Sequence, residues 1–315
     1  MTVRVLALQY EPHWWSILTS GFMTNALIGG TIVALAAGLV GYFVVIRQSA
    51  FAAHALAHIG LPGATGAVLL GVPVAAGLGV FCVGGALAIG VLGKRAADRE
   101  VVTGTVLALA IGLGLFFNSL ATKSSGTMTN VLFGNLLAIS RDQLAGFAIL
   151  LAVLALIVGI IYRPLLFASV NPVVAEAKGV PVRALAMIFM ALLGLTVTMA
   201  VQAVGTLLLF ALVVTPAATA IMLTPRPSMA MLVSTAIGLS SVLLGLGASA
   251  MFNLPPSFPI VVLACGIWSA VWASNHRHRV IAKAVDEATN APPALMSSKK
   301  SRIRRSRQTA RSRVP

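Results

Sequence analysis

The sequence predicts an all-α, polytopic membrane protein: a helical bundle of about nine spans, N-terminus outside and C-terminus inside. Three observations lead there. First, 58% of the 315 residues are hydrophobic and only 9% are charged, against roughly 25% charged in a soluble domain. A soluble chain of this length could not hide so much apolar surface in one core. Second, apolar stretches of about 20 residues, the length that crosses a bilayer, follow one another along the chain. Third, basic residues punctuate these stretches in alternate loops, the pattern that fixes orientation in a membrane.

Spans are predicted at 20–46, 50–72, 74–93, 101–121, 143–162, 184–203, 205–223, 229–250 and 259–274. Basic groups at Arg47, from Lys94 to Arg99, from Arg163 to Arg183, at Arg226 and beyond Asn275 all fall on the cytoplasmic side of that scheme. Lys123 and Arg141 are exceptions in an outer loop. An odd number of crossings then puts residues 1–16 outside, a helical body at 17–275 in the membrane and a basic tail at 276–315 in the cytoplasm. Gly30, Ala34 and Gly38 form a small face at helical spacing, suited to close helix packing.

The net charge of +15 does not point to nucleic acid, because half of the 22 Lys and Arg residues lie after Asn275. The stretch from Lys299 to Arg313 has no apolar period and reads as a disordered anchor on anionic lipid. Cys82 and Cys265 stand alone in apolar segments and imply no disulfide framework. The first 16 residues carry no secretory-signal pattern, so targeting is expected from the first span. Between Asn118 and Asp142 a polar loop precedes a short apolar piece, Val131 to Ile139, too short to span; it is expected to lie in the interface or re-enter between helices.

His54 and His58 are the sharpest chemical signal. Four residues apart in an apolar span, they share one helix face with a workable bite for a divalent metal. Ionisable groups at membrane depth are costly and tend to mark ion pathways, although a helix–helix hydrogen bond is the plainer alternative. Pro62 and Gly63 follow and predict a helix break beside the pair. Two ligands leave a site incomplete, which suits a transit site better than storage. Enzyme readings fail: there is no HExxH, and only five histidines. Gly93-Lys94-Arg95 lacks the first Gly and the hydroxyl of a phosphate loop, so the chain is expected not to bind ATP itself. From Asn171 to Arg183, Pro172 suits a helix start and Gly179 a stop. This predicts a helix of one or two turns between spans, either an ordinary capped loop or a coupling element.

At these segments the sequence resembles the membrane (permease) subunit of the metal-ion ABC importer family, of zinc, manganese or iron type, over roughly residues 20–275. The family's R-x(6)-D-A-x-S-H-x-x-L-P-G is matched from Arg47 to Gly63, its metal-binding His falling on His58 and its metal-binding Asp on His54. Its coupling loop resembles Asn171 to Arg183, with Glu176 and Gly179 retained and Val170-Asn171 in place of Phe-Asp. Gln202-Ala-Val-Gly205, Pro216-Ala-Ala-Thr219-Ala and Leu132-Phe-Gly134-Asn135 resemble three further family segments.

The resemblance implies an importer subunit with no permanently bound cofactor and a divalent metal as substrate. Its implied partners are a separate ABC ATPase that uses the ATP, an extracytoplasmic metal-binding protein, a second copy of the chain and the plasma membrane, with no nucleic acid. The ATPase would grip Val173, Glu176 and Gly179. His in place of Asp removes fixed negative charge and favours Zn²⁺ over Mn²⁺ or Fe²⁺. The competing readings are a stand-alone cation carrier or channel, and an intramembrane metalloenzyme. No intramembrane acid is present to serve as that enzyme's base.

Overall fold

The computed structural model describes residues 11–12, 14–93, 96–120, 131–132 and 134–289. The described residues form helices joined by short turns, with no strand. The chain divides into two units, Met1–Ser269 and Ala270–Pro315.

In the first unit, α1 (Trp14–Leu18) is a short turn with Trp14 and Trp15 edge to face at 5.5 Å. The long α2 (Gly21–Ile46) and α3 (Ala50–Leu70) follow, then α4 (Val74–Leu92) and α5 (Ala96–Leu120). A 3₁₀ turn at Leu136–Ala138 precedes α6 (Arg141–Val170), which opens on a capping box between Ser140 and Gln143. Next come α7 (Pro172–Ala177), α8 (Val182–Val213), α9 (Thr215–Leu223), α10 (Pro227–Phe252) and α11 (Ser257–Thr289). Small residues set the packing. A β-carbon on Gly30 would lie 2.6 Å from Val242, and Gly38 faces the Thr235 backbone. Thus α2 and α10 run antiparallel in close contact through the small face predicted on α2.

Eight helices among the described residues are long and apolar enough to cross a bilayer. The ninth predicted span, 205–223, is shorter: Leu208–Leu223 falls in the class of 10–17 residues. The cause is Gly205, whose φ of 79° and ψ of 172° interrupt α8. Before it, Gly194 packs on Cys82 and Val83, and Val204 sits against Gly134. Beyond it, the Val213 carbonyl and Ala217 meet Gly41, near the Arg47 end of α2. The chain therefore turns at Gly205 and heads back toward the end from which α8 started.

Arg47 pins that end. Its Nη1 donates to Ser169 Oγ at 3.1 Å, and its guanidinium lies 5.0 Å from the Phe189 ring centre. Burial, and then Arg99 nearby, lower its pKa to about 10, which leaves it charged at neutral pH. It joins the ends of α2 and α6 to the start of α8. In the second unit α11 continues as helix to Thr289, with Trp272 and His276 stacked at 5.3 Å. The basic tail expected from residue 276 begins within this helix; 290–315 lie outside the described residues, as do 1–10 of the N-terminal segment.

Candidate metal-transit site

From Ala52 to Thr65, every residue of α3 is buried except His54 and His58. Neighbouring α4, α5 and α8 cover the rest of the helix, so the pair occupies the one strip they leave open. Phe51, one turn earlier, continues the strip at 45% exposure. The imidazole centroids lie 4.9 Å apart, edge to face at 78°. Phe210, just beyond the Gly205 turn, approaches His54 at 6.2 Å and is itself exposed. Phe210, one apolar residue within a long apolar run, carries no signal of its own in the sequence.

His54 Nδ1 is buried and has no hydrogen-bond partner. A buried polar atom left unpaired costs about 1–3 kcal/mol. Among the described residues no neighbouring helix supplies that partner. No group of three or more His, Cys, Asp or Glu residues occurs among the described residues, so the pair is an open, incomplete ligand set.

Pro62 and Gly63 do not break the helix. Residues 50–70 form one continuous α3 with Pro62 inside it. Two features accommodate the proline. Gly63 and Gly77 bring the α3 and α4 backbones into mutual contact, each carbonyl occupying the space of the other's missing side chain. Thr65 Oγ1 donates to the Leu61 carbonyl at 3.0 Å, tying the same turn. What Pro62 does remove is an N–H, so the His58 carbonyl four residues earlier lacks its usual i+4 donor.

The break lies instead at Gly205, and the outer apolar piece fits onto it. Gly134, at φ +72°, packs directly on Val204 and the Gly205 nitrogen. Thr206 Oγ1 reaches the Leu132 carbonyl at 3.5 Å, and Asn25 Nδ2 donates to the Ile139 carbonyl at 3.1 Å. Val131, Leu136 and Ile139 are buried, so of the two placements expected for this piece its described residues take the one between helices.

At the Arg47 end, α7 forms the predicted short helix. Asn171 caps it by accepting from the Val174 N–H at 3.1 Å, and Gly179 ends it at φ +80°. Ala175 is buried against the bundle, while Val173 is 76% exposed and Glu176 also points outward. The capped turn thus holds an apolar side chain and an acid outward, away from the bundle.

The model of the ABC 3 transport family matches residues 19–274. The chain belongs to that family. It is therefore a multi-pass membrane protein of a transport family, and its fold is that of a permease. The manganese transport system membrane protein MntC of Listeria innocua is 33% identical over 250 residues, covering 79% of this chain and 89% of that protein. The manganese import system permease protein ScaB of Streptococcus gordonii is 31% identical over 249 residues, covering 78% and 89%. Among solved structures, PsaBC from Streptococcus pneumoniae in complex with Fab aligns with a TM-score of 0.74 and 29% identity, over 82% of this chain and 94% of that one. An inward-facing putative metal-chelate type ABC transporter shares the fold at a TM-score of 0.65 and 15% identity, over 86% and 91%. The family assignment agrees with the sequence resemblance. The preference for zinc drawn from His54 finds no support in these relatives, whose names say manganese.

Proposed function

We propose that this permease carries a divalent metal ion, Mn²⁺ ahead of Zn²⁺ or Fe²⁺, into the cytoplasm, energised by a separate ATPase subunit. The observation that carries the proposal is the open strip of α3, where between Ala52 and Thr65 only His54 and His58 escape burial and His54 Nδ1 lacks a partner. Manganese prefers oxygen to nitrogen donors. The histidine pair offers nitrogen alone, so water or a second copy of the chain would supply the oxygens. The manganese names of the relatives support the choice of Mn²⁺.

An open strip needs a cover. A second copy of the chain would face Phe51, His54 and His58 with its own strip and give the ion a two-fold pathway. The basic end at Arg47 is placed inside by the positive-inside rule, which puts α7 where an ATPase can grip Val173, Glu176 and Gly179. The opposite end would receive metal from an extracytoplasmic binding protein. The exposed apolar turn of α7 favours this reading over a stand-alone carrier, which has no use for it.

The test is manganese uptake into proteoliposomes holding this chain, its ATPase and its binding protein. Uptake should require ATP and should fall to background when residues 173–179 are scrambled. Uptake that persists without ATP, or with the scrambled turn, would establish the carrier reading instead.

A further inference from the structure

Arg47 and Arg99 come together in a pocket of about 290 Å³, at the end of the bundle that the positive-inside rule places in the cytoplasm. The pocket lies where α2 ends and where α3 and α5 begin, and each side brings donors. Arg47, the C-terminal cap of α2, commits Nη1 to Ser169. A guanidinium carries five N–H groups in a planar fork, so most of its donors are left over. Arg99 sits in the first turn of α5, where Thr103 Oγ1 donates to its carbonyl at 2.6 Å. Gln48, at φ 52°, adds an exposed amide to the lining. At the start of α3, Ser49 makes no side-chain cap; its Oγ donates to the Arg47 carbonyl at 3.2 Å instead. The first helical bond there runs from the Ala53 N–H to the Ser49 carbonyl. The N–H groups of Phe51 and Ala52, which line the pocket, come before that ladder begins.

The charge in the pocket is lopsided. The charged neighbour that acts on Arg47 is Arg99, and it repels. Glu100 lines the pocket from an exposed position, one acid against two guanidiniums. Like charges gathered in a half-buried pocket are relieved by an anion that accepts from both.

We infer that this pocket binds a phosphate group, from an anionic lipid headgroup or from free inorganic phosphate, gripped between the Arg47 and Arg99 guanidiniums. Guanidinium forks match phosphate oxygens in both geometry and charge. The cytoplasmic leaflet presents anionic headgroups at this surface. Because Arg47 joins the ends of α2 and α6 to the start of α8, a phosphate held there braces the end from which α7 projects.

The experiment follows the thermal unfolding midpoint of the full chain in uncharged detergent as dioctanoyl phosphatidylglycerol or inorganic phosphate is added; the concentration dependence gives each apparent affinity. Wild type should be stabilised by at least one of the two. Arg99→Gln should weaken that affinity roughly tenfold or more, by loss of a charge-assisted pair, and Arg99→Lys should keep part of it. Arg226→Gln removes an exposed charge outside the pocket and should leave the affinity unchanged. Gln48→Glu adds an acid to the exposed lining and should also weaken it, which keeps the test open if Arg99→Gln folds poorly. Stabilisation by the lipid alone would identify a headgroup site; stabilisation by inorganic phosphate would identify a site open to the cytoplasm. No stabilisation of wild type by either ligand would overturn the inference. So would an Arg99→Gln protein that responds like wild type, or one that loses no more than Arg226→Gln, since the attraction would then be diffuse surface charge.

Discussion

Replacing Gly205 with Ala tests how the ion path is built. At φ 79° and ψ 172°, Gly205 occupies a region that is essentially glycine's alone. A residue forced into such backbone costs about 1–3 kcal/mol. Relief by rotation is blocked, because Gly134 packs against Val204 and the Gly205 nitrogen, where a β-carbon built on it would come within 2.8 Å of Val204 Cα. The strain should therefore appear in global stability. At roughly 2–4 °C per kcal/mol for chains of 150–250 residues, the unfolding midpoint should fall by several degrees. The assay is thermal unfolding in detergent, with Gly159→Ala as control. Gly159 has nothing within 4 Å of its added carbon, so alanine there should be neutral or slightly stabilising. Gly134→Ala should resemble Gly205→Ala, and the double variant should lose less than the sum, since both act on one contact. A Gly205→Ala protein that unfolds with the control would refute a fixed turn at this position.

The remaining predictions concern the ends of the bundle and the α3–α4 seam. Gly63→Ala and Gly77→Ala should each lower the unfolding midpoint, because each side chain would enter the other's carbonyl. Asn171→Ala should remove the α7 cap, cost about 1 kcal/mol locally and reduce metal-stimulated ATPase activity in the assembled transporter. Arg47→Lys should not restore the stability lost in Arg47→Ala, since the flat guanidinium both stacks on Phe189 and bonds Ser169; thermal unfolding reads this directly.

Much of the fold was legible because the membrane imposes a simple grammar. Arg47, Arg163 and Arg226 delimited apolar runs, and the predicted 20–46 and 74–93 match Gly21–Ile46 and Val74–Leu92 within a residue or so. The short helix after Asn171 was legible from Pro172 and Gly179, because capping chemistry is local. The turn was misplaced. Pro62 looked like a break, yet the turn from Ile59 to Thr65 is fully buried and α3 stays whole, while Gly205, one glycine among many, carries the reversal through its contact with Gly134. Long-range contact decided both cases, and a single sequence does not display it. The same holds for the site. His54 and His58 were visible by spacing, but their isolation as the open strip, and the approach of Phe210, come from how α4, α5 and α8 pack around them.

The most direct test of the central claim is metal-dependent ATP hydrolysis by the assembled transporter, comparing wild type with His54→Ala/His58→Ala at equal folded protein. The account predicts stimulation by Mn²⁺ in wild type and its loss in the variant, with basal hydrolysis retained because α7 is untouched. Equal stimulation in both proteins would contradict it and take the ion's route away from the open strip of α3.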